Sequence, residues 1–239
     1  DAIGEVANIS MGSATTALYN LLGKKVEITA PEVETSSLQA LIDSYTKPCV
    51  VIDVEYIEGL EGSNQLILEV EDAAIITDLM MGGNGTNPPQ ELEEMHISAV
   101  GEAMNQMMGS ASTSMSDFYE GDKVNISPPQ AEMLEVNSET IHLDSIAPED
   151  NVVKVIFDIH VGDDLIDSKL IQIMTVDFAR QMAEGLVDQS TPKEQEDTGS
   201  SSEEQTQSKG QEAAQHPAGP HSHPLPGCLY QPAAPAAAF

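Results

Sequence analysis

The sequence of 239 residues predicts an α/β (α+β) sandwich, internally duplicated about a pseudo-two-fold axis, with a mainly antiparallel sheet. Three observations carry this. Residues 1–35 repeat at 98–132, each copy is followed by apolar runs that alternate like half-buried strands, and each half closes on a helical pattern. Aligning DAIGEVANISMGSATTAL with SAVGEAMNQMMGSASTSM makes Gly4/Gly101, Glu5/Glu102, Asn8/Asn105, Met11/Met108, Gly12/Gly109 and Ser13/Ser110 identical, and Pro31/Pro128 falls on the same offset.

Each half reads as helix, three strands, helix. After the first helix the strands are expected near KKVEITAPEV, at CVVIDVEYI and at SNQLILEVE, with DAAIITDLMM as the closing helix. In the second half the strands are expected near DKVNISPPQAEML, at NVVKVIFDIHV and at SKLIQIMTV, with DFARQMAEGLV as the helix. Asp72 and Asp177 are the expected N-caps of the closing helices. Short connections between successive strands favour antiparallel pairing, with helices covering a sheet face. Whether the halves share one sheet is left open. The repeats span about 1–85 and 92–188, joined by GGNGTNPPQ, in a domain covering 1–189. From Ser190 to Phe239 the chain is polar and rich in Pro, Gly and Ser, and such a segment buries too little apolar surface to order itself.

Forty acidic residues against nine basic ones give a formal net charge of −31. A surface of that sign repels phosphate backbones and anionic lipid, so nucleic acid and membrane surfaces are poor partners, although solubility alone also accounts for it. No apolar run approaches the roughly 18 residues of a membrane span. Cys49 and Cys228 make no disulfide framework and suggest a reducing compartment, with Cys49 a core residue. His216, His221 and His223 lie in the polar tail without orienting partners and read as incidental rather than as a metal site. Asp53, Glu55 and Glu58 read as solvated strand-face residues.

At 100° per residue, Ile3, Ala7, Met11, Ala14, Leu18 and Leu21 form an apolar stripe on the first helix, and Val100, Met104, Met108 and Ala111 form one on its copy. Asp1, Glu5 and Asn8 cluster on a different face, and Ser98, Glu102 and Asn105 repeat that cluster. Glu and Asn on a helix surface are ordinarily just solvated. Asn, however, costs roughly half a kcal/mol or more relative to Ala inside a helix, and here the same pair survives twice where surface positions drift fastest. Gly12 and Gly109 have helix packing as an alternative explanation.

Asp1-x3-Glu5-x2-Asn8-x22-Pro31 and Ser98-x3-Glu102-x2-Asn105-x22-Pro128 resemble the D/S-x3-E-x2-N-x22-P signature of the CheC/CheX/FliY chemotaxis phosphatases, and residues 1–188 resemble the middle domain of the FliY type. The resemblance implies a phosphatase acting on the aspartyl phosphate of the response regulator CheY, at two equivalent sites. Asn8 and Asn105 would orient the attacking water, and Glu5 and Glu102 would pair with the regulator's Lys. Asp1, Ser98, Pro31 and Pro128 would support the docking face. It further implies no cofactor of its own, Mg²⁺ supplied by the partner, contact with FliM- or FliN-like switch proteins, and a cytoplasmic place at the flagellar motor switch. The alternative is a non-catalytic rotor scaffold of FliM type.

Overall fold

The computed structural model describes residues 2–189 apart from 120–122, 142 and 144–145, so Asp1 and the tail from Ser190, with its three histidines and Cys228, lie outside the described residues. Helix α1 spans Ala2–Leu22 and buries Ile3, Ala7, Met11, Ala14 and Leu18, the stripe its 3.6-residue period dictates; Leu21 is only half-buried and Leu22 takes the last core position. Gly23, at φ 62, ends the helix, donating its N–H to the Tyr19 carbonyl at 2.9 Å in the left-handed conformation glycine adopts without strain.

The chain continues through β1 (Val26–Ile28), β2 (Glu32–Ser37), α2 (Leu38–Ser44), β3 (Cys49–Glu58), β4 (Gly62–Glu69) and α3 (Val70–Met80). The second repeat follows as α4 (Glu94–Phe118), β5 (Asn125–Ile126), β6 (Gln130–Leu134), β7 (Asn151–Val161), β8 (Ile166–Thr175) and α5 (Val176–Gln189).

Four expectations are corrected. The single first strand of each repeat is two segments, because Pro31 in one copy and Pro128 with Pro129 in the other have no N–H for the ladder and interrupt it. The short α2 was not foreseen; Ser37 caps it, accepting from the Ala40 N–H at 3.2 Å. Neither Asp72 nor Asp177 is an N-cap. Helix α3 starts two residues before Asp72, and at α5 the Thr175 hydroxyl accepts the Phe178 N–H at 3.2 Å while Asp177 pairs with Arg180 at 3.0 Å. Helix α4 starts at Glu94, ahead of the repeated segment, because Glu93 and His96 close a capping box in which His96 Nδ1 accepts the Glu93 N–H at 2.9 Å.

The sheet settles how the halves combine. It has eight strands in the order β1-β7-β8-β4-β3-β5, with β2 also on β7 and β6 also on β3. Every pairing is antiparallel. The hairpins β3–β4 and β7–β8 meet at the centre, where Leu66 faces Gln172. The first strands are exchanged: β1 and β2 pair with the second repeat's β7, and β5 and β6 with the first repeat's β3. Alternate residues then face opposite sides. Val50, Ile52 and Val54 of β3 join the core beneath α1, α3, α4 and α5, whereas Cys49 and Val51 join a smaller core under α2, Val136, Ile141 and Leu143. With both faces covered, β7 is buried along most of its length.

On the helical face α1 and α4 cross at a self-complementary contact. Ser13 Oγ lies 3.1 Å from the Ser110 carbonyl and Ser110 Oγ lies 3.1 Å from the Ser13 carbonyl, the pair related by the repeat offset. Helix packing, the alternative explanation for Gly12 and Gly109, finds no support in the structure, since a Cβ at either would meet nothing within 4 Å.

One buried group gives the fold a pH dependence. Asp72 is 6% exposed, and its Oδ2 has no hydrogen-bond partner. Burial pushes its carboxyl above the ordinary aspartate range, opposed by a hydrogen bond from Ser168 and reinforced by Glu69 and Glu71. A carboxyl with a raised native pKa binds more protons folded than unfolded, so the contribution of this group to stability is fully present below the unfolded value of about 3.9 and is lost as pH rises from there through the native value. Asp72→Asn is therefore expected to be the more stable protein at pH 7, by about 1 kcal/mol, or roughly 2–4 °C in Tm. The two melting curves should converge below pH 4. A less stable variant at pH 7 contradicts this.

Candidate functional site

Glu5 and Asn8 sit in the first half of α1, and Glu102 and Asn105 near the middle of α4; all four side chains are exposed. Three residues along a helix is 300°, so each Asn stands one turn above its Glu, about 60° round the axis. Both pairs are on the faces opposite the buried stripes, because the apolar residues at Ile3, Ala7 and Met11 and at Val100, Met104 and Met108 are drawn into the core. Among the described residues neither Glu5 nor Glu102 is paired with a cation.

The prolines reach the same place through the sheet. Gly4 lies against β2, where a Cβ would stand 3.5 Å from Val33 Cγ2, and Gly101 lies against β6, where one would stand 3.6 Å from Ala131 Cβ. The strand segment after each proline thus runs beside the turn that carries the glutamate. In the second repeat a shallow groove of about 380 Å³ results, with Ser98, Glu102 and Asn105 on the helix side and Pro128 and Pro129 on the strand side. Ser98 is exposed and donates to the Glu94 carbonyl at 2.9 Å. Pro128 is exposed and Pro31 half-buried. Four residues separated by up to thirty positions in the second motif are thereby brought to one wall-and-floor arrangement.

The chemistry available there is limited and specific. A neutral amide offers two donors and one acceptor, and a carboxylate offers only acceptors. Such a pair can orient a water and receive a cation. It has no nucleophile activated by a base. Among the described residues no group of three or more His, Cys, Asp or Glu is arranged to hold a metal ion, and no helix is long and apolar enough to cross a membrane. A larger groove of about 730 Å³ opens at the start of α5, but Glu61, Asp150 and Asp177 line it and no motif residue does. Of the carboxylates read as solvated, Glu55 and Glu58 are exposed; Asp53 is half-buried and accepts a hydrogen bond from the buried Gln65.

The CheC-like family profile matches residues 1–34 and 95–133, the two segments that carry the Glu/Asn pairs and their prolines. The crystal structure of FliY from Thermotoga maritima is 42% identical, superposes with a TM-score of 0.71, and is matched over 78% of this chain and 94% of that one. The chain belongs to the CheC-like family. Flagellar motor switch phosphatase FliY of Bacillus subtilis (strain 168) is 47% identical over 196 residues, which is 82% of this chain and 51% of that protein. This CheC-like chain therefore spans about half the length of the curated relative it matches. A chain of the FliG–FliM complex from H. pylori shares the fold, with a TM-score of 0.61 at 13% identity over 77% of this chain and 96% of that one.

One residue at the CheC-like site was missed by the motif reading. Gln106, directly after the second Asn, donates its Nε2 proton to Glu102 Oε1 at 2.8 Å. The i, i+4 spacing of Glu and Gln was a signal for it.

Proposed function

We propose that the chain dephosphorylates a CheY-type response regulator, hydrolysing its aspartyl phosphate at two sites, Glu5/Asn8 and Glu102/Asn105. The observation that carries this reading is the duplicated, exposed Glu/Asn pair, beside a proline-bounded strand in each repeat and free of any structural duty in the core. A relative named a flagellar motor switch phosphatase supports it.

In this reading the chain supplies position more than chemistry. Phosphoryl transfer passes through a loose transition state governed by alignment and charge. The Asn amide enters the partner's phosphorylated site and holds a water in line with the P–O bond to the aspartate. The water oxygen forms a bond to phosphorus, that P–O bond breaks, the aspartate carboxylate is released, and the water proton leaves with inorganic phosphate or to solvent. Mg²⁺ and a Lys of the regulator neutralise the phosphoryl oxygens; the metal belongs to the partner. Glu5 and Glu102 receive that Lys and fix the approach. Asp1, Ser98, Pro31 and Pro128 shape the surface around them. The chain would work beside FliM- or FliN-like switch proteins, on the cytoplasmic side of the motor.

The test is phosphate release from phosphorylated CheY-type regulator in Mg²⁺. The chain is expected to accelerate it, and Glu5→Lys with Glu102→Lys is expected to abolish the acceleration and weaken docking while the circular dichroism spectrum is unchanged, since like charges then face each other across the contact. Full activity in the charge-reversed protein would refute the proposed pairing.

A further inference from the structure

The residue after each motif asparagine differs between the repeats: Ile9 in the first, Gln106 in the second. Gln106 lies one turn beyond Glu102, and its amide holds Glu102 Oε1 at 2.8 Å. The Ile9 side chain has no donor to offer and is 36% exposed, and among the described residues no side chain hydrogen-bonds to the Glu5 carboxylate. The two carboxylates, equivalent in the repeat, are thus differently held: Glu102 by a neighbouring amide within α4, Glu5 in the first turn of α1 by no described side chain.

We propose that Gln106 is a positioning residue: by holding one oxygen of Glu102 it fixes the carboxylate beside Asn105, so that the second site docks a receiver protein bearing an aspartyl phosphate more tightly than the first. The inference rests on the reading above, in which Glu102 receives a cation of that partner. Three points support it. Gln106 is neutral, so it orients Glu102 without cancelling the charge the partner's ammonium needs, and it occupies only Oε1, leaving Oε2 free to accept. Docking immobilises a glutamate side chain, and a side chain already confined loses less freedom in doing so. Glu102 also borders the groove lined by Ser98, Asn105 and Pro128, so restraining it sets the shape of the surface the partner meets. An exposed i, i+4 pair of this kind adds little to folding stability, so its consequence is expected in docking and not in the fold.

The experiment isolates each site. Asn8→Ala leaves the second site working and Asn105→Ala leaves the first, and steady-state phosphate release from a phosphorylated receiver protein in Mg²⁺ gives KM and kcat for each. The second site alone is expected to show the lower KM. Adding Gln106→Met, similar in length and without a donor, to Asn8→Ala is expected to raise KM about two- to fivefold with the change falling on KM rather than kcat. A single-site protein that turns over with a KM indifferent to Gln106→Met overturns the inference while leaving the two-site reading intact. A folded Asn8→Ala protein that no longer turns over contradicts the two-site reading itself, and this inference with it.

Discussion

Neither repeat is expected to fold on its own. Residues 2–85 produced alone would keep the β3–β4 hairpin but lose β5 and β6 on one side of it and β8 on the other, while β1 and β2 would lose β7, the strand both pair with. Helix α1 would lose α4 and the reciprocal contact at Ser13 and Ser110. An isolated two-stranded hairpin is marginal in water, and the apolar faces of α1, β3 and β4 would be left uncovered. The half comprising 92–189 fails for the mirror-image reasons. Mixed in equal amounts, the two should assemble and regain a cooperative melt, because all the lost pairings lie between them. Far-UV circular dichroism with light scattering reads the outcome, and a homodimer of one half, which the pseudo-symmetry permits, is recognised by its mass. A cooperative monomer from either half alone would show that the strand exchange is not what holds the fold together.

That exchange was not legible in the sequence, and the reason is physical. Alternation of apolar residues in CVVIDVEYI or SNQLILEVE states that a strand has two faces; it carries nothing about which neighbour lies alongside. Antiparallel pairing by short hairpins was readable, and β3–β4 and β7–β8 follow it. The pairing of β1 with β7 joins residues more than a hundred positions apart, where no local signal exists. The inward stripes of α1 and α4 were legible because a 3.6-residue period is imposed by burial itself, and Val100, Met104, Met108 and Ala111 are all buried. The misplaced caps show the opposite case. Asp72 looked like a cap because aspartate before an apolar run usually is one, yet the helix starts earlier and leaves it in the first turn, buried with an unpartnered oxygen. The exposure of Glu5, Asn8, Glu102 and Asn105 follows from the same stripes that bury their neighbours. The closeness of Pro31 and Pro128 to the motif turns depended on strand placement, which only the folded chain supplies.

In the proposed function two asparagines, each on its own helix, position the attacking water. Their replacement by alanine should have the largest functional effect of any conservative change and almost none on the fold. Both side chains are exposed, neither makes a described hydrogen bond, and alanine is the better helix former, so stability should move by no more than roughly 0.5 kcal/mol. The sites lie on separate helices with separate neighbouring strands, so they should act independently. The decisive measurement is phosphate release at saturating phosphorylated CheY-type regulator and equal protein, for the wild type, Asn8→Ala, Asn105→Ala and the double variant, with thermal melts alongside. Each single variant is expected to keep a substantial part of the activity, and the double variant to fall to the regulator's own rate of dephosphorylation. A folded double variant that still accelerates phosphate release would contradict the account.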